Sequence, residues 1–303
     1  MSYRIGMVEL AGQATAVVDT RESVFRLVDL VPGKVPGSIQ DMLPEWPRWH
    51  AAILAAVEAF RGSPVDMAAV RWLAPIKAPP KMICIGVNYH DHIAEMPGGG
   101  KLALPFPYAF LRPGTCLAAH EQPVPLPELV LPDGSGTSGP RMFDWEAELG
   151  VVIGTRARNV SGADAAAVVG FYTVINDLSA RDWIESAPFV GIDWVMQKAW
   201  DGFQPTGPWL TPAVLVPDPQ SLPIRLTVNG VVKQQSDTAQ MVFGVVAIIE
   251  HLSKIMTLEP GDIIATGTPA GVGFGRSPRE FLKSGDIVEV TVGDLGTLRN
   301  QMA

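Results

Sequence analysis

Cysteine is nearly absent from this 303-residue chain, which carries Cys84 and Cys116 and no others. Two are too few for a disulfide framework, and their scarcity points to a reducing, cytoplasmic setting. Cys84 lies in the apolar run MICIGV and reads as a small packed hydrophobe. Long apolar runs are also lacking. The longest, residues 241–249, falls far short of the ~20 residues that cross a bilayer. The opening MSYRIGMVEL has no apolar stretch followed by a small-residue cleavage site, so no secretory signal is read there. The Asn-Val-Ser sequon at 159–161 is therefore expected to stay unglycosylated. Positive charge is in deficit: 23 Lys+Arg against 31 Asp+Glu give a net charge of −8. No clustered basic patch offsets it, which argues against nucleic acid and against an anionic membrane surface as partner. A phosphate loop, an H-E-x-x-H helix and a G-x-S-x-G elbow are all missing. The glycines of TPAGVGFG lead into Arg276-Ser277-Pro278, which breaks rather than opens a helix, so a dinucleotide fold is not indicated.

What is present is a chain 47% hydrophobic, enough for a sizeable core. Trp49, Ile53, Val57 and Phe60 recur at helical spacing near the N-terminus. The proline-rich stretch 73–81 forbids helix and suggests a boundary near residue 75. Beyond it, short strand patterns alternate with Gly and Pro punctuation. They include MICIGV, PYAFLRP, WEAELGVVIG, GFYTVIND, DIIAT and DIVEVTV, and a hairpin turning at Asn229-Gly230. An alanine-rich helix is expected from Ser161. A second is expected to be capped by Thr238 and to bury Met241, Val245, Ile248, Ile249 and Leu252. The expected class is a β-rich α+β fold, with a small N-terminal α/β domain (1–75) and a catalytic domain (76–303).

Chemistry concentrates in three segments. In Asp144-Trp145-Glu146-Ala147-Glu148, alternation puts the three carboxylates on one strand face. Burying them costs several kcal/mol each unless a cation compensates, and hard oxygen ligands suit Mg²⁺, Mn²⁺ or Ca²⁺. The alternative is a solvated strand face. Asp177 ends an apolar strand, with Arg181 and Lys198 not far along the chain. In the run 88–96, His92 and Glu95 are neighbours on a helical turn, where a carboxylate orients an imidazole as a general base. An exposed polar helix end is the alternative. The glycine run 98–100 beside it suggests a lid. The loop 260–273, with Gly267 and Thr268, offers N–H groups and hydroxyls suited to an anionic substrate oxygen.

Seven segments occur in one order over roughly residues 80–300: GVNYHDHIAEM, DWEAELGVVIG, NDLSARDW, QKAWDGFQPTGPW, NGVVKQQSDTAQM, LEPGDIIATGTPAGVG and SGDIVEVTVGDLGTLRN. In that order they resemble the fumarylacetoacetate hydrolase family. The resemblance implies a β-roll catalytic domain, a homodimer and a divalent metal, Mg²⁺ or Mn²⁺. It carries the metal ligands onto Glu146, Glu148 and Asp177, and the His–Glu pair onto His92 and Glu95 on a closing lid. The family lysine falls on Lys198, and the substrate contacts on Arg181 and Thr268, with Gly267 in the same loop. Departures, at positions that would contact substrate, are Ile184 where many relatives have Gln, Ala199-Trp200 within the lysine motif, and Arg112 in place of a frequent lysine. The stretch 132–140 looks like an insertion. The expected reaction is metal-dependent hydrolysis of a C–C bond in a β-diketo acid such as an acylpyruvate, in aromatic-ring breakdown. Decarboxylation, tautomerisation or isomerisation of 2-oxo or 2-hydroxydienoic acids at the same site is the alternative, and a non-catalytic binding relative is a third.

Overall fold

A computed structural model describes residues 2–60, 62–96, 104–127, 142–185, 189 and 191–303. The glycine run 98–100 and the stretch 132–140 lie outside them.

The apolar alternation of the strand patterns is realised as two main sheets, beside two two-stranded pairs, among the described residues. The larger has ten strands among the described residues. Its order runs Val24–Arg26, Gln13–Asp19, Arg4–Leu10, Trp209–Pro212, Val169–Asn176, Ala147–Ile153, Ile263–Ala265, Met82–Gly86 and Tyr108–Arg112, and Arg71–Leu73 pairs with Arg4–Leu10 off this path. All pairings are antiparallel except Ile263–Ala265 with Met82–Gly86. The smaller sheet runs Val231–Asp237, Pro223–Val228, Ile287–Val292, Thr297–Gln301. Its first hairpin turns at Asn229 (φ 51°) and Gly230 (φ 78°), the paired positive φ values of a type I′ turn.

The central strands are buried on both faces, so they read as near-continuous apolar runs. Along Ala147–Ile153, Leu149, Val151 and Ile153 face a core shared with the smaller sheet and the helix Val245–Ile255. Val152 faces a second core built on Trp46, Trp49 and Ile53 of the helix Trp46–Ala59. Each fully buried aliphatic side chain contributes about 1.5–3 kcal/mol. The larger sheet runs through the boundary expected near residue 75. Ile5 pairs with Leu210, and the Trp46 ring packs 4.3 Å from that of Phe171.

The Thr238 helix is placed differently from expectation. Thr238–Gln240 form one 3-10 turn, and the α-helix starts only at Val245. Between them, Asn88 fastens the backbone of Phe243 through both its amide ends, and Met241 bridges Tyr89, so this stretch is extended. Gln220 caps the later start by accepting from Val245 N. The expected buried face, Val245, Ile248, Ile249 and Leu252, is retained.

One core contact sets an acid limit on stability. His120 Nδ1 accepts the Arg299 N–H at 3.0 Å, and its ring meets Trp72 edge-on at 5.2 Å. Burial, with Arg299 adding to it, pushes the imidazole down to about 4. The unfolded chain therefore binds more protons between about pH 6.5 and 4, so stability falls as pH drops through that window. We expect His120→Gln, which keeps an acceptor, to remove about 1–3 kcal/mol of the loss between pH 7 and 4.5. Denaturant midpoints at the two pH values check this, and an unchanged loss in the variant would refute it.

Candidate active site

Strand register builds the site. Glu148 opposes Ile175 across the Ala147–Ile153 and Val169–Asn176 pair, and Asp177 N donates to Glu146 O just beyond the ladder. The start of one strand therefore meets the end of its neighbour. Alternation sends Glu146, Glu148 and Asp177 out on one face there. Their carboxylate oxygens come within 4.8 Å of one another, and all three residues are buried. The solvated-face alternative does not hold. Asp144, expected on the same face, turns instead to Arg181 Nε (2.9 Å) and to the N–H groups of Gly273 and Phe274. The ladder breaks at Trp145 and Glu146, which frees that turn.

Cations surround the acids unequally. Lys198 Nζ lies 2.7 Å from Glu146 Oε2 and 2.8 Å from Asp177 Oδ2. Arg181 Nη2 reaches Glu146 Oε1 at 2.5 Å, and Arg112 Nη2 reaches Asp177 Oδ1 at 2.6 Å. Burial raises Glu146, but Lys198 and Arg181 outweigh it and hold the carboxyl well below the usual range. Glu148 has no ion pair among the described residues; its bond is from the Gly267 N–H at 2.8 Å. Burial, then Asp177 and Glu146, push its carboxyl well above the usual range. Gly267 reaches this position at φ +98°, and a Cβ there would lie 2.7 Å from that of Asn88.

This donor set fits a hard divalent cation. Three convergent carboxylates are an oxygen site of the kind Mg²⁺ and Mn²⁺ take. The uncompensated Glu148 is what such a charge would relieve.

The second constellation meets the first. Helix His90–Glu95 forms as the spacing predicts. His92 Nδ1 and Glu95 Oε1 are 2.6 Å apart. Glu95 Oε2 also accepts the Gly271 N–H at 2.9 Å, and Asp91 accepts from Ser236 Oγ at 2.5 Å, so the helix is pinned over the site. His92, the acidic triad, Arg181 and Lys198 all line one cavity of about 110 Å³.

Three expected substrate contacts sit elsewhere or are occupied. Arg112 does not line the cavity. Its side chain is fully buried behind Asp177, and it also donates to Phe203 O and Leu178 O. Gly267 spends its N–H on Glu148. Thr268 lines the cavity, but its hydroxyl donates to Ala147 O and accepts from Gln234. Arg181 keeps Nη1 without a hydrogen bond among the described residues. Sequence reasoning missed Trp194 and Gln197. Both line the cavity and share one face of helix Trp194–Lys198 with Lys198, a face that i, i+3, i+4 spacing could have revealed.

Known proteins share this arrangement of chain and sheet. Residues 81–303 match the family model described as fumarylacetoacetate (FAA) hydrolase C-terminal. Over 229 residues the chain is 41% identical to the mitochondrial oxaloacetate tautomerase fahd2 of Xenopus laevis, a match covering 75% of this chain and 67% of that protein. The fold superimposes on 2-hydroxyhepta-2,4-diene-1,7-dioate isomerase from Mycobacterium marinum with a TM-score of 0.68 and 30% identity, covering 100% of this chain and 98% of the other. Maleylpyruvate hydrolase from Sphingobium sp. SYK-6, in complex with manganese(II) and pyruvate, gives a TM-score of 0.76 at 28% identity, with 99% and 98% covered. Among the described residues, no helix is long and apolar enough to cross a membrane. With the matched segment and the strand-rich fold in agreement, this chain belongs to the fumarylacetoacetate hydrolase family.

Proposed function

We propose that the chain hydrolyses a carbon–carbon bond in a β-diketo acid of the acylpyruvate type, with a divalent cation held by Glu146, Glu148 and Asp177. The observation that carries this reading is the 2.6 Å His92–Glu95 contact facing a buried acidic triad across one cavity. Hydrolysis needs an activated water, and an oriented imidazole is the group that activates one. The bound cation supplies Lewis acidity toward the oxygens of the 2-oxo acid.

The protein's own groups do the rest. Glu95 fixes the tautomer with the proton on Nδ1, leaving the Nε2 lone pair as base. Nε2 takes a proton from water, and the hydroxide adds to the acyl carbonyl carbon. The bond between the third and fourth carbons breaks, and its electron pair stays with the three-carbon fragment as the pyruvate enolate. Lys198 Nζ returns a proton to that carbon, yielding pyruvate and the acyl carboxylic acid. Arg181, whose Nη1 makes no hydrogen bond among the described residues, holds the substrate carboxylate. A homodimer and a role in aromatic-ring breakdown belong to the same reading and rest on the family resemblance, and a cytoplasmic location rests on the scarcity of cysteine.

A second reading is favoured by the 41% identity to an oxaloacetate tautomerase. Keto–enol interconversion, isomerisation or decarboxylation could use the same acids and Lys198 without an activated water. A panel of acylpyruvates, oxaloacetate and 2-hydroxydienoates, assayed on chelator-stripped and Mn²⁺-reloaded protein, separates the two. We expect stoichiometric pyruvate from an acylpyruvate, lost about 10³-fold on stripping and restored by Mn²⁺. Oxaloacetate enolisation with no acylpyruvate cleavage would overturn the hydrolase reading.

A further inference from the structure

We propose that the mouth of the cavity selects a 2-oxo acid bearing one carboxylate and an uncharged, apolar tail. Ile184, Ile192 and Trp194 form the selecting wall, and Gln197 is the neutral polar contact beyond the floor. The inference rests on the proposed function only for its 2-oxo acid head group.

Exposure orders the cavity. The acidic triad is buried and forms the floor, while Ile184 and Trp194 are half-buried and Ile192 is 41% exposed at the mouth. Among the described residues, every lining lysine, arginine or histidine belongs to the floor or to the helix His90–Glu95. Lys198 bridges Glu146 and Asp177, Arg181 serves Asp144 and Glu146, and His92 faces Glu95. No charged side chain lines the mouth among the described residues. A second carboxylate there would lose water against isoleucine and indole with nothing to pair it.

The wall cannot turn a polar group inward. Trp194 stacks on Phe110, centroids 4.2 Å apart and planes at 8°, and its Nε1 donates to Tyr108 Oη at 3.2 Å. Its single polar atom thus points away from duty in the cavity. Gln197 is the exception. It is 2% exposed and lines the cavity, and Oε1 has no hydrogen-bond partner among the described residues. A buried amide oxygen left without a donor is costly, so Oε1 awaits a ligand O–H. It shares one helical face with Trp194 and Lys198, and the enol hydroxyl of a β-diketo acid supplies the donor that Oε1 lacks. Oxaloacetate and the heptadienedioate, named for two relatives, carry carboxylates at both ends and would not match this mouth.

A matched pair tests the inference: 2-oxohexanoate, which ends in a methyl group, and 2-oxoadipate, of equal length, which ends in a carboxylate. Calorimetric titration into Mn²⁺-loaded protein should show 2-oxohexanoate binding at least about tenfold tighter. Ile184→Arg should erase or invert that preference, and Ile192→Lys, at an exposed position, provides the same test should the first variant fail to fold. In a His92→Ala background, where the proposed hydrolysis is blocked, Gln197→Leu should weaken 2,4-dioxohexanoate about tenfold and leave 2-oxohexanoate unchanged. Equal or tighter binding of 2-oxoadipate overturns the inference, as does a preference that neither cationic variant moves. Equal weakening of both ligands by Gln197→Leu removes its assigned contact. Binding of neither 2-oxo acid overturns the inference together with the reading beneath it. A preference without acylpyruvate cleavage leaves the inference standing and removes only the hydrolase reading.

Discussion

Glu148→Gln is expected to stabilise the metal-free protein while lowering turnover about 10³-fold. The two effects share one cause. Glu148 is a buried carboxylate beside Glu146 and Asp177, with no ion pair among the described residues. Burial and those neighbours push its carboxyl well above the usual range. The folded state therefore holds this proton more tightly than the unfolded state does, so wild-type stability falls as pH rises from the ordinary carboxylate range toward the folded value. The glutamine variant carries no such charge and keeps an oxygen for the Gly267 N–H. In chelator, its advantage over wild type should grow between pH 5 and 8, reaching about 1–3 kcal/mol. With Mn²⁺ present the order should reverse, because the ion binds only the intact triad and stabilises by mass action. Thermal melts with and without chelator measure both. A variant less stable than wild type in chelator would contradict the electrostatic account.

His92→Ala is expected to lower kcat/KM for acylpyruvate cleavage about 10²–10⁴-fold and to leave Mn²⁺ affinity unchanged. His92 meets Glu95 rather than the triad oxygens, so its loss should remove the base without disturbing the proposed ligands. Glu95→Gln should cost less, because the Nδ1 proton still finds an acceptor. The amide has one oxygen where the carboxylate has two, so with that oxygen facing Nδ1 the Gly271 N–H loses its acceptor. The same variants divide the two functional readings: enolisation of oxaloacetate should persist in His92→Ala, since it needs no hydroxide. Full cleavage activity in His92→Ala would remove the imidazole from the reaction.

Legibility in the sequence followed the locality of the cause. Glu146 and Glu148 were readable because alternation is a local rule, and His92 with Glu95 because helical spacing is. Asp177 became informative only through the family resemblance, since nothing local says that its strand end meets Glu146. Arg112 was carried over by the resemblance as a substrate contact, and nothing local in the sequence says that its buried side chain meets Asp177. Thr268 lines the cavity, but its hydroxyl partners, Ala147 and Gln234, come from two other strands and are not legible locally. Asp144 shares the alternation of the acids and departs from it where the ladder breaks, a feature set by Arg181 and the Gly273 turn. The delayed helix start at Val245 depends on Asn88, far away in sequence.

The account stands on one ion held by three acids. Crystals grown in Mn²⁺ and measured at its absorption edge test this directly. The account predicts one anomalous peak within coordination distance of carboxylate oxygens from Glu146, Glu148 and Asp177, inside the cavity that His92 faces. No peak there, with Lys198 alone bridging Glu146 and Asp177 at saturating Mn²⁺, would contradict it.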